Sequence, residues 1–132
     1  MARVKPDLKY GQPVSEKDWA RFWSFVSTPD ENGCLLWRGH LVGRGYAQFG
    51  FKGHGYQAHR WSYSMLVRTI PKGYEIDHVY ARGCRSKACV NPEHLQAVTP
   101  SENMRRAYAV KFPNAKRHRP PLRPRLTPPE AP

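Results

Sequence analysis

Two cysteines and a histidine at equal intervals, Cys84, Cys89 and His94, constrain this chain more than any other feature. Four residues separate Cys84 from Cys89, and four more separate Cys89 from His94, so one short loop can bring two thiolates and an imidazole to a single ion. Zinc prefers four such ligands in a tetrahedral shell. The third cysteine, Cys34, is the economical fourth ligand, giving one structural zinc site per chain that uses every cysteine. With three cysteines and no secretory signal, a disulfide framework is a poor alternative.

The residues flanking this loop read as strand, strand and helix. Tyr74 to His78 follows the Pro71-Lys72-Gly73 turn and alternates in the manner of a strand, with Asp77 and His78 at its end. Leu95 to Thr99 reads as a second strand. Thr99-Pro100-Ser101-Glu102 is a capping box with proline at the first helical position, so a helix begins there and Asn103 falls in its first turn. Arg106 lies on the same side of that helix, three residues on.

The order Asp77-His78, Asn91, His94, Asn103 resembles the phage-type HNH endonucleases of the ββα-metal (His-Me finger) superfamily. The interval from Cys84 to Leu95 is similar to the zinc loop of the His-Cys box homing endonucleases. The resemblance spans about residues 34 to 108. It implies that His78 is the general base that deprotonates the attacking water. It also implies that Asn103, helped by Asp77, holds a catalytic Mg2+ or Mn2+, and that Asn91 steadies the base or the loop. Cys34, Cys84, Cys89 and His94 match a structural zinc site. His59-Arg60 matches a His-Arg pair of phage-type members, which makes Arg60 a candidate for contact with the scissile phosphate; Lys72 is a weaker candidate. Phosphodiester hydrolysis needs an activated water, which an imidazole with an ordinary pKa near 6.5 suits. It also needs neutralisation of charge on the phosphate and the leaving oxygen, which suits a hard cation held by carboxylate and amide oxygens.

The charge balance agrees with a polyanionic partner. Lys and Arg outnumber Asp and Glu by 22 to 10, a formal charge of +12. No run approaches the roughly 20 apolar residues of a membrane span, and the N-terminus lacks an apolar signal segment, so a reducing, cytoplasmic setting is expected.

Three regions follow. Residues 1–13, with Arg3, Lys5 and Lys9 among prolines, read as a flexible basic arm. Residues 14–110 read as the endonuclease domain, which opens with an amphipathic helix: Ser15 caps it, Trp19, Phe22, Trp23 and Val26 form its face, and it ends before Pro29. A strand from Cys34 to Trp37 would deliver Cys34 to the zinc. Glycine-rich residues 38–45 and the strand Tyr46–Lys52, closed by a turn at Gly53-His54-Gly55, read as a β-ribbon that carries Arg38, Arg44 and Lys52 toward DNA. A helix over 57–68 has Ala58, Trp61, Met65 and Leu66 on one face and Arg60, Ser64 and Arg68 on another. Residues 111–132 hold seven of the thirteen prolines, six Lys or Arg and one acid, and read as a disordered tail adding salt-sensitive DNA affinity, or docking a protein partner in polyproline form.

The expected fold is therefore α+β, a ββα-metal domain stapled by one zinc, with an N-terminal helix and a β-ribbon. The expected function is metal-dependent hydrolysis of double-stranded DNA, by nicking or double-strand cleavage, in homing or phage genome processing. DNA contacts fall to Arg38, Arg44, Lys52, Arg60 and Arg106, and the chain acts as a monomer or homodimer. The alternatives are a non-catalytic zinc-stapled module that binds DNA or RNA, and a subunit of a phage packaging assembly.

Overall fold

The computed structural model describes residues 5–113, so the expectations for residues 1–4 and for most of the tail lie outside the described residues. Elements follow in the order α1 (Glu16–Ser24), β1 (Leu41–Val42), β2 (Tyr46–Phe51), β3 (His54–Gln57), α2 (Ala58–Leu66), β4 (Glu75–His78), β5 (Leu95–Val98) and α3 (Pro100–Lys111). Single 3-10 turns at Tyr80–Arg82 and Pro92–His94 bracket the loop between β4 and β5. No helix among the described residues is long and apolar enough to cross a membrane.

α1 starts where its cap dictates, with the Ser15 side chain accepting the Asp18 N–H at 3.0 Å. It ends at Ser24, sooner than the spacing of its apolar residues predicts. The cause is a competing backbone pairing. Val26 bridges Trp37, the Ser27 N–H reaches the Leu36 carbonyl at 2.9 Å, and the Arg38 N–H reaches the Phe25 carbonyl. An extended pairing satisfies those groups where a further helical turn would not. The opposite edge of the same segment pairs with the zinc loop: Val90 N–H donates to Leu35 and Trp37 N–H to Ala88. Cys34 is thereby fixed beside Cys89, through isolated bridges rather than a full strand.

β1, β2 and β3 form an antiparallel ribbon. Its tight turn is Lys52-Gly53, with φ of 52° and 83°, rather than the Gly53-His54-Gly55 turn expected from glycine spacing. Two left-handed central residues match the twist of the flanking strands, which frees His54 and Gly55 to pair with Phe51 and Gly50. Ala47, Phe49 and Phe51 alternate inward from β2 and meet Phe22, Trp37 and Trp61. Trp61 is the centre of this aromatic cluster, with ring centroids 4.7 Å from both Phe22 and Phe49.

α2 is buried around most of its circumference because it lies between two sheets. Ala58, Trp61 and Met65 face the ribbon, Tyr63 packs with Ile76 and Leu95 beneath β4 and β5, and the Ser62 hydroxyl donates to the Val90 carbonyl at 2.7 Å. Ser64, expected on a polar face, is only 1% exposed, while Leu66, expected inside, is 37% exposed. A pattern that assumes one buried face misplaces residues on a helix that has two.

β4 and β5 pair antiparallel with Asp77 opposite Gln96 and His78 opposite Leu95, and α3 begins at once after Thr99, whose hydroxyl accepts the Glu102 N–H at 3.2 Å. This is the ββα unit expected from the sequence, within an α+β fold. At the N-terminus, residues expected in a basic arm lie along the domain. Lys5 donates to the Gly55 carbonyl, the Tyr56 hydroxyl donates to the Pro6 carbonyl, the Tyr10 N–H meets the Thr69 hydroxyl, and Leu8 packs on the aromatic cluster.

Candidate metal centre and nuclease site

Cys34, Cys84, Cys89 and His94 converge, with all four ligand atoms within 4.8 Å of one another and all four residues buried. Zinc–sulfur bonds of about 2.3 Å and zinc–nitrogen bonds of about 2.0 Å put tetrahedral neighbours about 3.8 Å (S to S) and about 3.5 Å (S to N) apart. His94 Nδ1 stands 3.8 Å from the Cys34 sulfur and 3.6 Å from the Cys89 sulfur, so the donor set and its spacing can hold a metal such as zinc. Local chemistry shapes each arm of the site. Asp30 accepts the N–H groups of Asn32 and Cys34, closing the turn that aims Cys34 inward. Gly33, at φ 81°, sits where a Cβ would come within 3.4 Å of the His94 ring. Backbone N–H groups of Arg85 and Asn91 point at the Cys34 and Cys89 sulfurs. The neighbouring Cys84 thiol pulls the pKa of Cys89 down to about 5, while the same proximity and burial push Cys84 up. One thiolate is thus already favoured before a cation ionises the rest.

His78 stands at the end of β4. Its Nε2 lies 3.0 Å from the Cys89 carbonyl. A carbonyl can only accept, so Nε2 carries the proton and Nδ1 keeps the lone pair. Burial holds His78 below its ordinary 6.5, against the opposing pull of that carbonyl and of Asp77, so the ring is neutral at pH 7. Behind it lies His59, 4% exposed, its ring centroid 4.7 Å from that of His78. Burial first, then the neighbouring His78 and Arg60, lowers His59 to about 3. The His59 Nδ1 is buried and without a partner among the described residues.

Asp77 and Asn103 lie where α3 packs on β4, and each already has a polar contact. Asp77 Oδ2 accepts from Arg106 at 3.0 Å, and the same guanidinium group holds Gln96 and Glu102. Asn103 Nδ2 donates to Glu75 Oε1 at 2.7 Å. Asn91, expected to steady the base or the loop, works on the loop: its Nδ2 donates to the Gly33 carbonyl at 2.7 Å and its Oδ1 accepts the Glu93 N–H. The acceptor that orients His78 is the Cys89 carbonyl, a backbone atom that no sequence pattern reveals.

The expected DNA-contacting residues fall in different places. Arg106 is at the site, and Arg60 is half-buried beneath it, its side chain reaching toward the Tyr74 carbonyl at 3.5 Å. Arg44 is exposed at the end of the ribbon that touches the zinc loop, where Lys87 donates to its carbonyl. Lys52 lies at the other end of β2, about 20 Å along the strand, and Arg38 is exposed beside the Phe25 pairing. Basic residues of the zinc loop itself were not singled out from the sequence. Arg82, Arg85 and Lys87 are exposed there, with the Arg85 guanidinium 3.6 Å from the centroid of the exposed Tyr80 ring. Their density, three basic residues within positions 82–87, was the available signal.

Comparison with known proteins agrees with this geometry. The model of the HNH endonuclease family matches residues 56–105, from the end of β3 into α3. The chain is 37% identical over 80 residues to the uncharacterized gene 5.3 protein of Enterobacteria phage T3, covering 54% of this chain and 74% of that protein. It is 34% identical over 74 residues to protein 2.8 of Escherichia phage T7, covering 54% of this chain and 47% of that protein. No solved structure matches. A ββα unit around a cysteine and histidine cluster, a family match across that unit, and a phage relative spanned over 74% of its length place the chain in the phage-type HNH endonuclease family.

Proposed function

We propose that the chain hydrolyses phosphodiester bonds of double-stranded DNA, with His78 as general base. The observation that carries this reading is the hydrogen bond from His78 Nε2 to the Cys89 carbonyl, which leaves a neutral ring with a free lone pair on Nδ1 at the end of β4. Water deprotonation by such a group is what positioned acid–base catalysis requires. Asp77 Oδ1 and Asn103 Oδ1 are hard oxygen donors that suit Mg2+ or Mn2+, since the Arg106 and Glu75 contacts engage the other polar atom of each side chain. A divalent cation bound there supplies positive charge for the phosphate and the leaving oxygen. The Cys34, Cys84, Cys89 and His94 cluster holds one structural zinc, and residues 14–110 act as the catalytic unit. Arg44, Arg60 and Arg106, with Arg38 and Lys52 farther out, supply phosphate contacts, and the basic tail adds affinity without sequence preference. A reducing cytoplasm, which keeps three thiols unpaired for a metal, suits this chemistry.

A second reading, a zinc-stapled nucleic-acid-binding module without turnover, is favoured by one observation. Both Asp77 and Asn103 have protein partners, as purely structural residues would. Plasmid nicking with Mg2+ separates the two. His78→Ala should keep zinc content and DNA affinity while cleavage falls by roughly 10^2-fold or more. A wild type that never nicks, or a His78→Ala variant that nicks as fast as wild type, makes the binding module the better account.

A further inference from the structure

The Asn103 side chain is held by a residue to which nothing above assigns a role. Glu75 begins β4, and its pairing opposite Val98 puts it where the chain turns at Thr99 into α3. The first turn of α3 therefore crosses the start of β4, and Asn103 Nδ2 donates to Glu75 Oε1 at 2.7 Å. An amide has two chemically opposite ends. A carboxylate can only accept, so this contact fixes which end is which and turns Oδ1 away from Glu75. Only the oxygen end can serve a hard cation.

We infer that Glu75 is a positioning residue that locks the Asn103 amide with its oxygen presented to the divalent cation. The inference rests on the proposed role of Asn103 as a ligand. Partners of this kind, one bond removed from a metal, orient the ligand and reduce the freedom it loses on binding, and their loss typically weakens metal affinity about 10- to 100-fold. Glu75 and Asn103 come from separate elements, strand and helix, so the contact also sets the distance of the first turn of α3 from β4. Asp77 has its counterpart in Arg106, which holds one carboxylate oxygen from the next turn of the same helix. Each candidate ligand is thus steadied through its second polar atom, one by an anion and one by a cation.

The test is Mn2+ binding to the full-length, zinc-loaded protein, followed by electron paramagnetic resonance, for wild type, Glu75→Ala, Glu75→Gln, Asn103→Ala and the Glu75→Ala/Asn103→Ala pair. Zinc content and thermal unfolding report the fold of each variant independently. Glu75→Ala should weaken Mn2+ by about 10- to 100-fold. Glu75→Gln, whose amide oxygen can still accept from Asn103, should restore most of that loss. The double variant should bind no more weakly than Asn103→Ala alone, because Glu75 acts through Asn103. Unchanged Mn2+ affinity in Glu75→Ala overturns the inference, as does additive loss in the double variant. Equal loss in Glu75→Gln and Glu75→Ala overturns it as well, by showing that the charge of Glu75 matters and the hydrogen bond does not. In each of these cases the wild type still binds Mn2+, and the nuclease reading stands. A folded wild type that binds no Mn2+ removes the inference together with the divalent-ion reading.

Discussion

The two candidate metal sites of this chain both adjoin the β4–β5 hairpin, yet they are built in opposite ways. The cysteine and histidine cluster is fully buried, and its four donors face one another with only sulfur and nitrogen between them. The Asp77 and Asn103 pair is half-exposed, and each side chain is engaged by a protein partner. The first arrangement has no favourable alternative to a cation, because packing three thiols and an imidazole together without one leaves them with weak hydrogen bonds. The second is complete as a polar network and can accept or release a cation without rebuilding the core. The difference predicts that the first site makes the fold and that the fold carries the second.

The largest effect should come from breaking the first site. Cys84→Ala or Cys89→Ala should abolish zinc in metal analysis and unfold the domain by circular dichroism, since binding free energy in small zinc sites, on the order of 10 kcal/mol, is folding free energy. Folded, zinc-free protein would erase the contrast drawn above. Asn103→Ala, by comparison, should leave far-ultraviolet dichroism and zinc content unchanged.

Acid should act on the fold through a group that belongs to neither site's ligands. His59 titrates near 6.5 when unfolded and at about 3 in the fold, so the unfolded chain binds a proton first as pH falls. The stability His59 contributes by staying neutral is present above pH 6.5 and is lost as pH falls toward 3. With about 1.4 kcal/mol per pH unit at stake, wild type should lose roughly 2 kcal/mol more than His59→Phe between pH 6.5 and 4.5 in denaturant melts. Because both proteins carry the same zinc cluster, its own acid sensitivity cancels in the difference. Equal slopes in the two proteins would mean that His59 takes up its proton without unfolding.

The smallest effect sharpens the comparison from the other side. Thr99→Ala removes the cap that starts α3 beside β4, and should cost about 1 kcal/mol in thermal unfolding while leaving zinc affinity untouched. A loss several times larger would show that α3 is part of the structure the zinc supports.

What the sequence revealed and what it concealed divide along the same line. The Cys84, Cys89 and His94 intervals point to a shared ion because loop length alone limits where those side chains can go. The start of α3 was legible because Thr99, Pro100 and Glu102 act within one turn. The early end of α1 was not, because it depends on Trp37 and Leu36, ten or more residues away. Ser64 was misplaced because a single-faced periodicity cannot announce a second sheet over α2. The partners of Asp77, Asn103 and His78 were hidden for a further reason. Arg106, Glu75 and the Cys89 carbonyl come from different elements or from the backbone, and only the packing of α3 on β4 and of the zinc loop on β4 brings them into range.

Cys89 serves both the buried cluster and the candidate base: its sulfur belongs to the cluster and its carbonyl accepts the hydrogen bond from His78 Nε2. The consequence is a constraint on descent. A lineage that dispensed with the metal could replace its cysteines with ordinary apolar residues only if it also kept this stretch of main chain in place or recruited another oxygen, such as a side-chain amide, to hold the imidazole. Relatives that lack the cysteines are therefore expected to carry a substitute acceptor near this position, and a change at either locus should be tolerated only after its companion has appeared.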